Sequence, residues 1–460
     1  MAGTLDYALI GLYLVFLIAV GFRQFLKGKK TVDEYLVMGR RLALPGFVAS
    51  LVSTWYGGIL GVGEYSFKYG LSNWVVFGLP YYLGAFLFAV FLAKRARSAN
   101  LYTIPDQLDR AYGRPTSLAG AVLVFVTTIP AAYILQLGFL AESVAGIPLT
   151  YGVVGGAFFS IFYVLTGGLR NDVITDRAQF ILMFSGFIVM LVFLFANYGG
   201  FSYISANVPE KHLTLTGGRP ITYILVWYFI ALGTLVDPAF YQRCFAAKSE
   251  AIAKKGIFIA IAFWAFFDFM TTSTGLYARS IIPELSDPAT SFPMLAFKVL
   301  PGFFRAVFIL GLLATVMSTI DSFTLVAGQT IGKDFIHRIW GRDATRMTQV
   351  GIVLAGLLAI VIALFKRSIV AIWYDLGSIS TASLLIPLAS SFSKPWKMSR
   401  EAAFFSIIMA GLVVVIWMGL GSLYDQERFL NIDPIYPGLV CSLLFFTFDR
   451  FLFSQNDNTR

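Results

Sequence analysis

Thr315, Ser318, Thr319 and Ser322 recur at i, i+3, i+4 and i+7 inside a long apolar stretch. That spacing sets a row of hydroxyl oxygens on one face of a helix. Asp321 flanks the row. Ionisable residues at membrane depth mark functional sites, because lipid cannot solvate them. Hard cations take oxygen ligands, so hydroxyls beside a carboxylate suit a desolvated sodium ion. A stripe of small residues also serves close helix packing, and the pattern alone leaves that alternative open.

Two glycine-bearing segments offer a partner for this face. Gly57, Gly58, Gly61 and Gly63 crowd the middle of the second apolar segment, followed by Glu64. Glycine costs about 1 kcal/mol against alanine within a helix, so the cluster predicts an unwound stretch. Unwound backbone at this depth must line a cavity, where its carbonyls can meet a cation or solute. The seventh segment is interrupted by Gly233-Thr-Leu-Val-Asp-Pro238. Proline breaks the helix there. Asp237 either contacts solute or caps the helix that resumes at Pro238.

These segments belong to a chain of 460 residues, 58% hydrophobic and 13% charged. The charged share is about half that of a soluble domain. Hydropathy predicts about 13 membrane helices. Segments 44–70 and 219–245 carry the breaks; 116–146 reads as one helix, and 300–333 is too long for one untilted span. The net charge of +10 does not imply nucleic acid, because Lys and Arg fall at segment ends. Arg23, Lys27, Lys29 and Lys30 follow the first segment, whereas no basic residue precedes it. This order keeps it as a membrane helix, not a cleaved signal, and puts the N-terminus outside. Most of the 35 Lys and Arg, including Arg243 and Lys333, then fall on the cytoplasmic side with the C-terminus. The pair Lys366-Arg367 does not fit, since it falls outside.

Cys244 and Cys441 show no metal spacing, and His212 and His337 read as loop residues. A membrane enzyme lacks its usual constellation here. The breaks stand five segments apart, which points to an inverted-repeat transporter with a midplane site. The expected organisation is a peripheral helix and loop over 1–43, repeats over 44–198 and 199–393, and peripheral helices over 394–460. The fold class is therefore an all-α polytopic membrane protein with a five-plus-five core containing two broken helices.

Met317-Ser-Thr-Ile-Asp-Ser322, Gly167-Gly-Leu, Thr175-Asp-Arg-Ala-Gln179, Gln242-Arg243 with Ala246-Ala-Lys-Ser249, and Tyr69-Gly70 together carry a resemblance. The chain resembles the sodium:solute symporter family over nearly its whole length. The resemblance implies a sodium clasp of the carbonyls of Ser53, Tyr56 and Thr315 with the hydroxyls of Ser318 and Thr319. The family usually has a small residue, often Ala, at Ser53 and Thr315. Some members hold a second sodium nearer the cytoplasm, which here implies Asp176, Ser318, Asp321 and Ser322. Asp176 also suits the start of its helix, where a carboxylate offsets the dipole.

The solute site is expected between the breaks. Its candidates are Tyr56, Gly57, Gly58, Glu64, Tyr81, Gln136, Trp227, Tyr228, Asp268, Trp373 and Asp375, an apolar wall with a few polar groups. No Lys or Arg stands out in the centre of a core helix, so a neutral polyol, sugar or amine suits the acidic candidates better than a multiply charged anion, while the helix breaks offer a carboxylate a helix N-terminus and keep an amino acid possible. The resulting expectation is sodium-coupled symport of a small polar solute in a bacterial-type inner membrane, without an obligate protein partner. Proton coupling through Asp176 and Asp321 is the near alternative. A solute sensor is the other, although the chain ends at Asn456-Asp-Asn-Thr-Arg460 without an output domain.

Overall fold

The computed structural model describes residues 3–26, 31–366, 368–424, 426 and 428–457. Lys27, Lys29, Lys30, Arg367 and the last three residues, all used in the orientation reading, lie outside these. Among the described residues the regular elements are all helices, with a single β-bridge between Leu42 and Ala247. Helices are numbered here as α1 (Thr4–Phe25), α2 (Leu44–Tyr69), α3 (Trp74–Ser98), α4 (Arg114–Ala145) and α5 (Leu149–Gly167). Then come α6 (Leu169–Tyr198), α7 (Ile221–Ala246), α8 (Glu250–Ile281), α9 (Gly302–Trp340) and α10 (Ala344–Phe365). The chain ends with α11 (Ile369–Ser391), α12 (Arg400–Leu423) and α13 (Ile435–Asp457). Eleven of these are long and apolar enough to cross a membrane, and the described core of α5 is a shorter apolar helix. The chain is a multi-pass membrane protein.

α2 is the most enclosed of the spans, with 94% of its apolar window buried. A helix held on all sides by protein needs no lipid-facing stripe, which frees its sequence for glycine and polar residues. It is interrupted, but over one 3₁₀ turn only, Tyr56–Gly58. Gly61 and Gly63 lie in the regular helix that follows. Close packing accounts for them. A Cβ on Gly61 would come within 2.9 Å of Trp373, and one on Gly63 within 3.0 Å of Phe292. The four-glycine unwinding expected from sequence is therefore a one-turn break followed by a packing face.

α7 is broken as expected. A 3₁₀ stretch, Leu232–Val236, leads to an extended Asp237, and the helix resumes over Pro238–Ala246. α4 carries a third interruption that the sequence reading missed. Arg114–Thr128 and Ala131–Ala145 are separate helices around Ile129-Pro130. Pro130 offers no N–H, and Ile129 before it is extended, as a pre-proline residue prefers. The long α9 widens into a π-helix over Thr330–His337 instead of turning at the interface.

Two basic residues assigned by sequence to cytoplasmic loops are buried. Lys333, in the π-helical end of α9, pairs with Asp106 at 2.5 Å and Asp334 at 3.3 Å. Arg243, in the last turn of α7, is completely enclosed. Basic residues near helix ends can turn inward to meet carboxylates from neighbouring helices, which no loop-counting rule detects.

Candidate functional site

The α2 break lies directly against the hydroxyl face of α9. A Cβ built on Gly57 would stand 1.9 Å from the Thr319 hydroxyl oxygen, so only glycine permits this approach. The Thr319 hydroxyl donates to the Thr54 carbonyl at 2.5 Å. Ser53, Thr315, Ser318 and Thr319 are fully buried, and Tyr56 nearly so. The Ser53 and Thr315 hydroxyls each bond back to their own helix, at the carbonyls of Ala49 and Gly311. Their side chains are thus occupied, which suits a role for these residues through backbone oxygen alone. All the oxygens here are neutral, a donor set that fits a monovalent hard cation.

A network of charge adjoins this contact. Asp172 and Asp176 stand one turn apart on α6 and are both buried. Ser318 and Ser50 each donate to Asp176, at 2.5 Å. The Arg243 guanidinium bonds Asp172 at 3.0 Å and lies 3.6 Å from Asp176. It also donates to Ser50, Thr54, Ser322 and Gln242. Ser322 in turn donates to Asp172.

The second ion site expected from sequence is therefore divided. Asp176, Ser318 and Ser322 belong to the Arg243 network. Asp321 does not hydrogen-bond to any of them; its carboxylate is buried. Its neighbours are Tyr163 and Gln179. Asp321 is one step of about 100° round the helix from Ser322, enough to turn its carboxylate off the hydroxyl face. Asp172, Ser50, Thr54 and Arg243 were missed as site residues. The i, i+4 pair of acids in an apolar helix was the signal for Asp172.

A cavity of about 200 Å³ opens beside the break, lined from α2, α3, α4, α7, α8, α9 and α11. Of the solute candidates, Tyr56, Gly58, Tyr81, Asp268 and Trp373 line it. Trp373 closes over Gly58, where a Cβ would collide with its ring at 1.9 Å. Tyr82 donates to Asp268. The Tyr56 hydroxyl donates to the Trp264 carbonyl at 3.0 Å.

The remaining candidates are elsewhere. Gly57 faces Thr319. Gln136 accepts the Leu60 N–H at 2.9 Å, which satisfies a donor freed by the break. Glu64 pairs with Lys68 one turn on, and Asp375 pairs with Lys366. Trp227 is packed against Phe77, with ring centroids 4.7 Å apart. Tyr228 is outside the cavity lining. Asp237 lines the cavity and also caps the second half of α7, accepting from the N–H groups of Ala239 at 2.8 Å and Phe240 at 3.2 Å.

The family model described as the sodium:solute symporter family matches residues 35–412. The chain belongs to this family. A sodium/proline symporter of Staphylococcus aureus (strain JH9) is 25% identical to this symporter, over 95% of this chain and 91% of that protein. Among solved structures, a substrate-bound, outward-open sodium-coupled sialic acid symporter superposes with a TM-score of 0.79 at 16% identity, covering 97% of both chains. Mhp1, a nucleobase-cation-symport-1 family transporter, gives 0.54 at 12% identity, covering 93% of this chain and 96% of its own. At these identities the superpositions establish a shared fold. Sodium is the coupling ion that the family supplies for this symporter.

Proposed function

We propose that the chain imports a small polar organic solute by sodium symport, through alternating access. α2 and α7 belong to repeats of opposite orientation, 44–198 and 199–393, with 1–43 and 394–460 peripheral. The N-terminus faces outward and the C-terminus the cytoplasm of a bacterial-type plasma membrane.

One observation carries this reading. Thr54 and Tyr56 line the cavity, and the same turn of α2 is pinned against Thr319 of α9. A sodium ion gripped by the carbonyls of Ser53, Tyr56 and Thr315 with the hydroxyls of Ser318 and Thr319 fixes the turn that solute also touches. Each ligand then favours the same arrangement of α2 and α9, and each tightens the other by the same factor. On the cytoplasmic side, the Asp172–Asp176–Arg243 network ties α2, α6, α7 and α9 together and seals the path below. Asp176 with Ser318 offers a second cation position, and Arg243 is the tethered positive charge that competes for it.

Screening purified protein for thermal shifts with solutes in sodium and in potassium identifies a ligand. Proteoliposomes then test coupling. An inward sodium gradient must drive accumulation of that solute above its external concentration, and a potassium gradient must not. Equal uptake under both gradients overturns the proposal.

Proton coupling is a second reading, favoured by Asp321 alone. It is buried with no basic partner among the described residues, and a buried carboxylate without a counter-charge is stabilised by taking a proton.

A further inference from the structure

We infer that the solute carries a positive charge on an alkylated nitrogen, read by the carboxylates and aromatic rings of the cavity. This rests on the cavity being the solute site proposed above, and it narrows the class of solute.

The lining is the first argument. Two carboxylates, Asp237 and Asp268, reach the cavity, and no Lys, Arg or His is among the lining residues. A buried anionic solute needs a cationic partner or an open helix N-terminus. The lining offers no cationic partner. Three helices restart beside the cavity; the protein's own side chains reach the α7 and α2 starts, and the α4 start at Ala131 carries no side-chain cap. Asp237 occupies the Ala239 and Phe240 N–H groups at the α7 restart. Gln136 occupies the Leu60 N–H at the α2 restart. A carboxylate arriving at the α7 restart would meet Asp237 there, a like charge.

The aromatic surface is the second argument. Trp55 stands at the centre of one ring group, with Tyr81 at 5.2 Å and Phe240 at 5.5 Å between centroids. Trp373 stands at the centre of another, with Phe77 at 5.9 Å and Tyr133 at 6.5 Å. All six line the cavity. Ring faces attract organic cations, and the attraction grows as water is excluded. An alkylated ammonium is the cation that gains most, because its methyl groups accept apolar walls while its charge is read by the rings and carboxylates. A sugar would need several convergent hydrogen-bonding groups, whereas this lining is mostly apolar.

The size is consistent. A cavity of about 200 Å³ is smaller than the roughly 300–1,000 Å³ of drug-sized pockets, so the solute is compact.

The test uses the purified full-length protein in sodium, with calorimetric titration of choline, its uncharged carbon isostere 3,3-dimethylbutan-1-ol, and proline. Choline is expected to bind about thirtyfold or more tightly than the isostere, the least that a desolvated charge contact should give. Proline, whose ammonium is also alkylated, is expected to bind through the same rings and carboxylates. Asp268→Asn should cut choline affinity while leaving the thermal shift produced by sodium alone unchanged. Trp373→Leu, which keeps every carboxylate, should also weaken choline, and it covers the case in which the Asp268 variant fails to fold. Choline and its isostere binding equally overturns the inference. If the wild-type protein shows no sodium-dependent shift with any solute, the symport reading itself fails. If sodium shifts the protein but choline does not bind, only this inference falls.

Discussion

The Thr319 hydroxyl donates to the Thr54 carbonyl, a 2.5 Å bond joining α9 to α2 two residues ahead of its break. Only glycine at position 57 allows the helices so close. Thr319→Ala and Ser318→Ala each remove one hydroxyl oxygen from the expected clasp. Each should raise the sodium concentration for half-maximal uptake by roughly tenfold, about 1.4 kcal/mol, with expression retained. Unchanged sodium activation in both variants would count against the clasp. Gly57→Ala should be worse than either, because its methyl group has no space and overpacking costs about 1–3 kcal/mol.

Arg243 is the single basic group found within the Asp172–Asp176 network. Arg243→Met leaves those carboxylates without their counter-charge. The expected loss is about 3–5 kcal/mol of stability, read as a lower melting temperature in detergent. Arg243→Lys should recover only part, since lysine keeps the charge but not the planar fork. Adding Asp172→Asn and Asp176→Asn to Arg243→Met should recover more, because removing both sides of a buried pair costs little. A triple variant no more stable than Arg243→Met would show that packing, not charge, sets the loss.

The parts of this fold legible in the sequence were those with a local signature. The α2 and α7 breaks follow from Gly57-Gly58 and from Asp237-Pro238, and the hydroxyl face from helical spacing. Pro130 was equally local, yet its run is apolar on both sides, and hydropathy joined the two halves. Arg243 was misplaced because nothing near it in sequence shows that Asp172, 71 residues away, turns toward it. Gln136 and Glu64 lie outside the cavity lining, engaged elsewhere, for a related reason. A polar residue in a membrane helix needs a partner, and sequence does not say whether that partner is a ligand, a backbone N–H or a lysine one turn on.

His212 lies between α6 and α7, outside the spans, with its Nε2 3.1 Å from the Phe67 carbonyl oxygen. Burial pushes its imidazole below the usual value, the Phe67 contact opposes this, and Arg279 and Lys211 add to the lowering. A histidine whose native value is depressed binds protons more readily when unfolded. Its contribution to stability is therefore full above the unfolded value, about 6.5, and is lost as pH falls through the lower native value. The melting temperature should drop between pH 7 and pH 5, and His212→Gln should flatten that part of the profile. An identical slope in the variant would assign the pH dependence to other groups.

Asp321→Asn separates the two coupling ions. The wild-type carboxylate is buried near Asp172 and Asp176, with Tyr163 and Gln179 beside it. Asparagine keeps its shape, removes the like-charge repulsion, and should stabilise the protein by about 1 kcal/mol or more. The clasp contains no part of this side chain, so sodium activation of uptake should persist in the variant. If Asp321 takes up the coupled proton, the variant should lose the dependence of uptake on an imposed pH gradient. Loss of sodium activation instead would place a sodium ion on Asp321, and the proton reading would fall. Uptake is measured in proteoliposomes with the sodium and pH gradients set independently, so that each response is read alone.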